Sequence, residues 1–164
     1  MSSIKSLRDL TVHTLKDVYY AEKQILKKSP KMAENSDSSK LADLFRQHET
    51  DTQTHIDRLE KAFKAMGEEA SGVKCYAIEG ILKEVDEVID ETDDADTLDA
   101  GLIMTAQAAA TYEITRYGTL ASWARTLGLD EVRNLLEENL VEAKDTDSRL
   151  TRIAEDKLNK QAVS

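Results

Sequence analysis

Apolar residues recur every three or four positions through four long stretches of this chain, and almost nothing interrupts them. There is one Pro and there are six Gly in 164 residues. Spacing of that kind builds amphipathic helices that need partners along one face. The first stretch begins near Ser3 or Ser6 and places Leu7, Leu10, Thr14, Val18, Ala21 and Ile25 on one stripe. Pro30 removes an N–H and crowds the preceding turn, so a kink or an early end is expected there. The run Asn35-Ser36-Asp37-Ser38-Ser39 reads as a turn, with a serine or Asp37 as the next cap. The second stretch aligns Leu41, Leu44, Phe45, His48, Thr52, His55, Leu59, Ala62 and Met66, and Gly67 should close it.

A shorter helix over about 75–91 follows, with Ile78, Ile81, Leu82, Val85, Val88 and Ile89 on one face. A third long helix is expected from about Thr97 to Leu127, closed by Gly128. Asp130 can cap the last one, which carries Val132, Leu135, Leu136, Leu140, Ala143, Leu150, Ile153 and Ala154. Ala106, Ala108, Ala109 and Ala110 allow a neighbouring helix to approach closely. The connections run short, long, short. Short loops make antiparallel hairpins, so the chain reads as one domain over 1–164: hairpin 1 about 4–67, a crossover, and hairpin 2 about 97–160. The fold class is therefore all-α, a ferritin-like four-helix bundle whose one long crossover carries an extra short helix.

The two hairpins repeat one plan. Shifting the second helix by 91 residues sets Leu41 on Val132, Leu44 on Leu135, Phe45 on Leu136 and Leu59 on Leu150. The same shift sets Asp51 on Glu142 and, between the first and third long helices, Glu22 on Glu113. Glu22 and Asp51 lie 29 residues apart, as do Glu113 and Glu142. Each pair is equidistant from its turn to within about one residue, and at a rise of ~1.5 Å per residue the acids stand nearly level. Neighbouring axes are ~8–10 Å apart, so inward carboxylates at one level can share a cation. Four bare carboxylates in a core would repel and take up protons unless a cation compensates. A dinuclear metal centre is the simplest compensation. The competing reading is four solvated charges on helix flanks, which suits Glu113 and Glu142 in particular because both sit at the edge of their apolar stripe.

His48 and His55 flank Asp51 in the stripe of the second helix. Each alone reads as a hydrogen-bonded core histidine. Asp51 and His55, four apart, share a face, which makes His55 the best nitrogen donor. The repeat sets Thr146 opposite His55, and helical phase favours Asp147 over Asp145 as the inward acid nearby. Tyr19 and Tyr112, close in sequence to Glu22 and Glu113, read first as amphipathic core-edge tyrosines and second as candidates to hydrogen-bond the carboxylates. Glu79 reads as a cap or a structural contact. Cys75 reads as a small buried residue.

The net charge of −10 repels phosphate backbones, and the lysines at 27, 28 and 31 are surrounded by acids. No nucleic-acid partner is expected. No stretch is long and apolar enough to cross a membrane, and the N-terminal residues lack the apolar run of a signal peptide. A single cysteine rules out an intrachain disulfide and suits a reducing, cytoplasmic setting. Gly-rich phosphate loops, paired cysteines and a Ser-His-Asp set are all missing from the sequence.

Several stretches resemble the YciE/YciF-type bacterial stress proteins: Tyr19-Tyr20-Ala21-Glu22-Lys23-Gln24, Lys74-Cys75-Tyr76-Ala77-Ile78-Glu79-Gly80, Tyr112-Glu113-Ile114, Tyr117-Gly118-Thr119-Leu120, and Glu142-Ala143-Lys144-Asp145-Thr146-Asp147. They span nearly the whole chain in order. The resemblance implies a ferritin-like bundle, a homodimer, a link to stress response and a metal-binding scaffold with carboxylates on the long helices. Members of that family tend to have Glu-Glu-Thr where this chain has Thr50-Asp51-Thr52, and Glu-Glu-Lys where it has Glu142-Ala143-Lys144. The expected ligands are Glu22, Asp51, His55, Glu113, Glu142 and Asp147, holding one or two iron or manganese ions, since oxygen-rich ligation favours those metals. The two positions should be unequal, the tighter one on the histidine side. By analogy of fold, such a protein would oxidise Fe(II) with oxygen or peroxide. The alternative is a metal-free helical protein that acts by dimerisation or partner binding.

Overall fold

The stripe of the first stretch folds as α1, Leu7–Asn35, started by Ser6, whose hydroxyl accepts a hydrogen bond from the Asp9 N–H at 3.0 Å. The computed structural model describes residues 3–163. Pro30 does not end the helix as expected. α1 runs five residues past it, and just before the proline the Ser29 hydroxyl donates to the Ile25 carbonyl at 2.9 Å. Packing of the buried Met32 and Ala33 outweighs the local cost of proline. Ser38 caps α2, Ser39–Ala65, and Gly67 takes the left-handed conformation that closes it, with φ of 70°.

α3, Tyr76–Glu91, lies within the crossover. Asp94 caps α4, Ala95–Thr126, and Gly128, with φ of 69°, ends its last turn. α5 is Asp130–Ile153. Asp130 does not cap it: Leu129 occupies the cap position without a side-chain bond, and Asp130 is the first helical residue, where its charge suits the helix dipole. One π-helical turn, Ala154–Leu158, and a final turn, Asn159–Gln161, follow.

α1 packs on α2, α2 on α5, α5 on α4 and α4 on α1, which closes a four-helix ring, while α3 lies against α1 and α4. This is the ferritin-like bundle, all-α among the described residues. Lys28 and Lys31 pin α3 to α1 through Asp86, each ammonium 2.7 Å from a carboxylate oxygen. Among the described residues no helix is long and apolar enough to cross a membrane.

The core has two apolar halves. One holds Ile25, Phe45, Ile78, Leu102 and Leu150, and the other holds Leu15, Phe63, Tyr117, Leu120 and Leu136. Between them lies a polar layer containing Glu22, Thr52, His55, Glu113, Asn139 and Thr146, all buried. Six polar residues in mid-core require partners, and the layer is therefore where the chemistry of the molecule concentrates.

Candidate metal centre

Three side chains from three helices converge in the polar layer. Glu22 comes from α1, His55 from α2 and Glu113 from α4. One ligand-type atom from each lies within 4.8 Å of the others, a group that could hold a metal ion. His55 Nδ1 is 3.4 Å from Glu22 Oε1 and 4.0 Å from Glu113 Oε1. All three residues are at most 1% exposed. Among the described residues, Glu22 Oε2, His55 Nδ1 and both oxygens of Glu113 have no hydrogen-bond partner. Four buried polar atoms facing one another in this way form the donor set a cation would satisfy.

Tyr117 donates its hydroxyl hydrogen to Glu22 Oε1 from α4. On the far side of the imidazole, His55 Nε2 is 2.9 Å from Glu142 Oε2. Glu142 is gripped by Arg58, whose Nη1 and Nη2 donate to its two oxygens at 2.7 and 2.9 Å. Arg58 Nη1 also donates to Asn139 Oδ1 at 3.0 Å, and the Asn139 amide donates to the His55 carbonyl at 3.2 Å. Glu142, buttressed in this way, accepts the Nε2 hydrogen of His55 on the outer side and turns Nδ1 toward Glu22 and Glu113. This is the carboxylate–histidine arrangement that orients metal-binding imidazoles.

The electrostatics fall into two groups. Burial, and then the charge of Glu22, push the Glu113 carboxyl well above its ordinary range. Burial acts on Glu22 in the same direction, but the charge of His55, 3.4 Å away, and then the Tyr117 hydrogen bond outweigh burial and hold it low. Burial works against His55 in its charged form, yet Glu22 and Glu142 outweigh that and raise its pKa. The bidentate Arg58 bond holds Glu142 low. In the metal-free protein these directions favour a proton on Glu113 and on His55, where a cation would otherwise balance the charge.

Of the six acids and histidines expected at the site, Glu22, His55 and Glu113 meet. Glu142 reaches the ring of His55 from outside and is half-buried. Asp51 lies outside the group, where it accepts a hydrogen bond from Gln47 at 2.9 Å. Asp147 does too, and its carboxylate accepts from Gln107 at 3.2 Å while Thr146 takes the inward position. The tyrosine expectation is corrected: Tyr19 donates to Glu60, and the Tyr112 hydroxyl accepts from the Cys75 thiol at 3.2 Å. Glu79 makes a structural contact, accepting from the Tyr20 hydroxyl. Tyr117, Arg58 and Asn139 went unnoticed in the sequence. Each stands three or four residues from a candidate, on the same face of its helix as Glu113, His55 or Glu142, and that spacing was the available signal.

A family model described as a domain of unknown function, DUF892, matches residues 6–163. Protein YciF of Escherichia coli strain K12 is 37% identical over 161 residues, covering 98% of this chain and 97% of that protein. Among solved structures, that of the E. coli stress protein YciF superposes with a TM-score of 0.91 at 37% identity, covering 96% of this chain and 99% of YciF. YcfI of Rhodopseudomonas palustris, described as a proposed structural protein, gives 0.89 at 44% identity over 91% of this chain and 95% of its own.

Proposed function

The chain belongs to the DUF892 family, and on that premise we propose that it is a ferritin-like stress-response protein that binds iron or manganese through Glu22, His55 and Glu113. The observation that carries this reading is the set of four buried, partnerless atoms on those three residues. Native cores rarely leave such atoms unsatisfied, and a carboxylate left so costs far more than a neutral group. Two carboxylates and one imidazole suit Fe(II) or Mn(II) better than the thiolate-rich sets that select zinc or copper(I).

The chain's own residues divide the work. Tyr117 holds one oxygen of Glu22 and leaves the other for a cation. Glu142 and Arg58 fix the ring of His55, so that Nδ1 must lose its proton when a cation arrives. Glu113 surrenders a proton in the same event, and metal uptake is therefore coupled to proton release. A redox-active ion bound here would supply electrons to oxygen or peroxide, with Fe(II) as the substrate. A dinuclear centre, in which Glu142 is a ligand, requires that carboxylate to be released from Arg58. We assign the protein to the cytoplasm as a homodimer, an assembly that analytical ultracentrifugation checks directly. The metal-free alternative, a helical protein acting through partners alone, accords with the description of the R. palustris relative.

Metal analysis of untagged protein decides between the two. At free Mn(II) near 100 times Kd, stabilisation is about 2.7 kcal/mol, a rise in Tm of about 5–10 °C. Glu113→Gln should abolish that rise and, by removing a buried acid, raise the Tm of the metal-free protein. No bound metal, together with no response to Fe(II) or Mn(II), would sink the proposal.

A further inference from the structure

We propose that Arg58 is the resident cation of a second ion position, so that the bundle takes one metal ion while the guanidinium is in place and two when it is replaced. This rests on the reading of Glu22, His55 and Glu113 as a metal group.

The guanidinium sits in a cage of oxygen atoms. Glu142 gives both carboxylate oxygens and Asn139 its amide oxygen, at 2.7, 2.9 and 3.0 Å. Glu138 Oε2 completes the cage, 3.0 Å from Nε. His55 Nε2 stands 2.9 Å from the nearer Glu142 oxygen. Carboxylates and an amide carbonyl are donors that Mn(II) and Fe(II) take. Glu138, Asn139 and Glu142 present them from one face of α5, opposite Arg58 on α2.

The two sides of the His55 ring differ in one respect. On the inner side no donor among the described residues reaches the carboxyl of Glu113. On the outer side Glu142 receives two hydrogen bonds from Arg58 and lies against His55 Nε2. One cation position is therefore open and the other is already filled by a side chain.

The internal repeat shows that this filling is not imposed by the fold. A shift of 91 sets Arg149 on Arg58, Asp51 on Glu142 and His48 on Asn139. Yet Arg149 turns to Asp145 of its own helix at 3.9 Å, and Asp51 takes its hydrogen bond from Gln47. Only one of two matched arginines enters a cage. An open surface hollow of about 440 Å³, lined by Arg58, Asn134, Glu137, Glu138, Val141 and Glu142, leads from solvent to that guanidinium. A cation arriving there meets three carboxylates and then Arg58.

The test counts ions. Mn(II) alone is titrated into the full chain, with free Mn(II) followed by electron paramagnetic resonance and bound metal by elemental analysis. The parent and Glu138→Gln should each take one ion per chain, Arg58→Gln two, and the double variant Arg58→Gln/Glu138→Gln one, or a second at least tenfold weaker than in Arg58→Gln. Circular dichroism melts establish that each variant is folded. If Arg58→Gln does not fold, Arg58→Lys decides, because an ammonium cannot reproduce the forked grip. A second ion at least tenfold tighter than in the parent then supports the proposal. One ion in Arg58→Gln, or two in the parent with unchanged affinities, overturns it. If the parent binds one ion and loses it in Glu113→Gln while Arg58→Gln also binds one, only the role of Arg58 falls. A parent that binds none overturns both readings.

Discussion

Glu22 and Glu113 face each other across the centre of the bundle and are not equivalent. Tyr117 donates to Glu22, whereas no donor reaches either oxygen of Glu113. The nearer charge of His55, 3.4 Å from Glu22 and 4.0 Å from Glu113, and then this bond favour the proton on Glu113 when no cation is present, and they make the metal-free protein sensitive to pH.

Folded Glu113 keeps a proton that the unfolded chain releases above about pH 4.5. Its pKa is raised, so the native state binds more protons and stability falls as pH rises, by at most about 1.4 kcal/mol per unit. His55, also raised, adds the same sign above its unfolded pKa of 6.5. Glu22, lowered, acts oppositely, its contribution being lost as pH falls through its folded pKa. Chelator-treated protein should therefore melt higher at about pH 5.5 than at about pH 8. Glu113→Gln should flatten the lower part of that slope. A melting temperature that rises toward pH 8 would contradict the assignment.

Tyr117→Phe deletes the hydroxyl that donates to Glu22 and leaves a buried carboxylate short of a donor. The expected loss is about 1–3 kcal/mol, or about 2–4 °C of Tm for each kcal/mol in a chain of this size. Thermal melts of the metal-free variant check it, and parental stability would show that the bond contributes nothing.

Asp99 ties the start of α4 to the turn between α1 and α2. It is fully buried and accepts from the N–H groups of Asp37 and Ser38 at 2.9 and 2.8 Å. Asp99→Ala strands both donors, at a cost of about 1–3 kcal/mol. Asp99→Asn keeps one acceptor oxygen and should recover part of that. Urea unfolding midpoints should fall from the parent to Asp99→Asn to Asp99→Ala, and midpoints equal to the parent's would show that this tie contributes nothing.

Gly101 lets α3 lie close to α4. A Cβ there would stand 2.6 Å from Val88 Cγ1. Alanine is otherwise favoured over glycine within a helix by about 1 kcal/mol. Gly101→Ala should therefore destabilise the parent yet stabilise a Val88→Ala background. That sign reversal is measured by a double-mutant cycle, and additive effects would mean that the two residues do not touch.

The helices, their order and the long crossover were legible because a 3.6-residue apolar period survives in any bundle. The buried status of His55 followed from the same stripes, whereas that of Glu22 rested on the 91-residue repeat. Glu113 was ambiguous at its stripe edge, and the structure buries it. Asp51 and Asp147 show where periodicity fails. Asp51 stands one turn from His55, and Asp147 is adjacent to Thr146, so a modest rotation of a helix decides which of each pair points inward. Pro30 shows the other limit, since a local rule yielded to the packing of Met32 and Ala33 beyond it.

By itself, the sequence determined that this chain forms two matched hairpins with acids in equivalent phases, since that information lies within single helices. Only the tertiary structure decided that Tyr117 finds Glu22, that Arg58 takes Glu142, and that Glu113 is left without a partner. Those outcomes depend on axial register and rotation between helices. Both are fixed by packing the whole core at once and leave no period in the sequence to read.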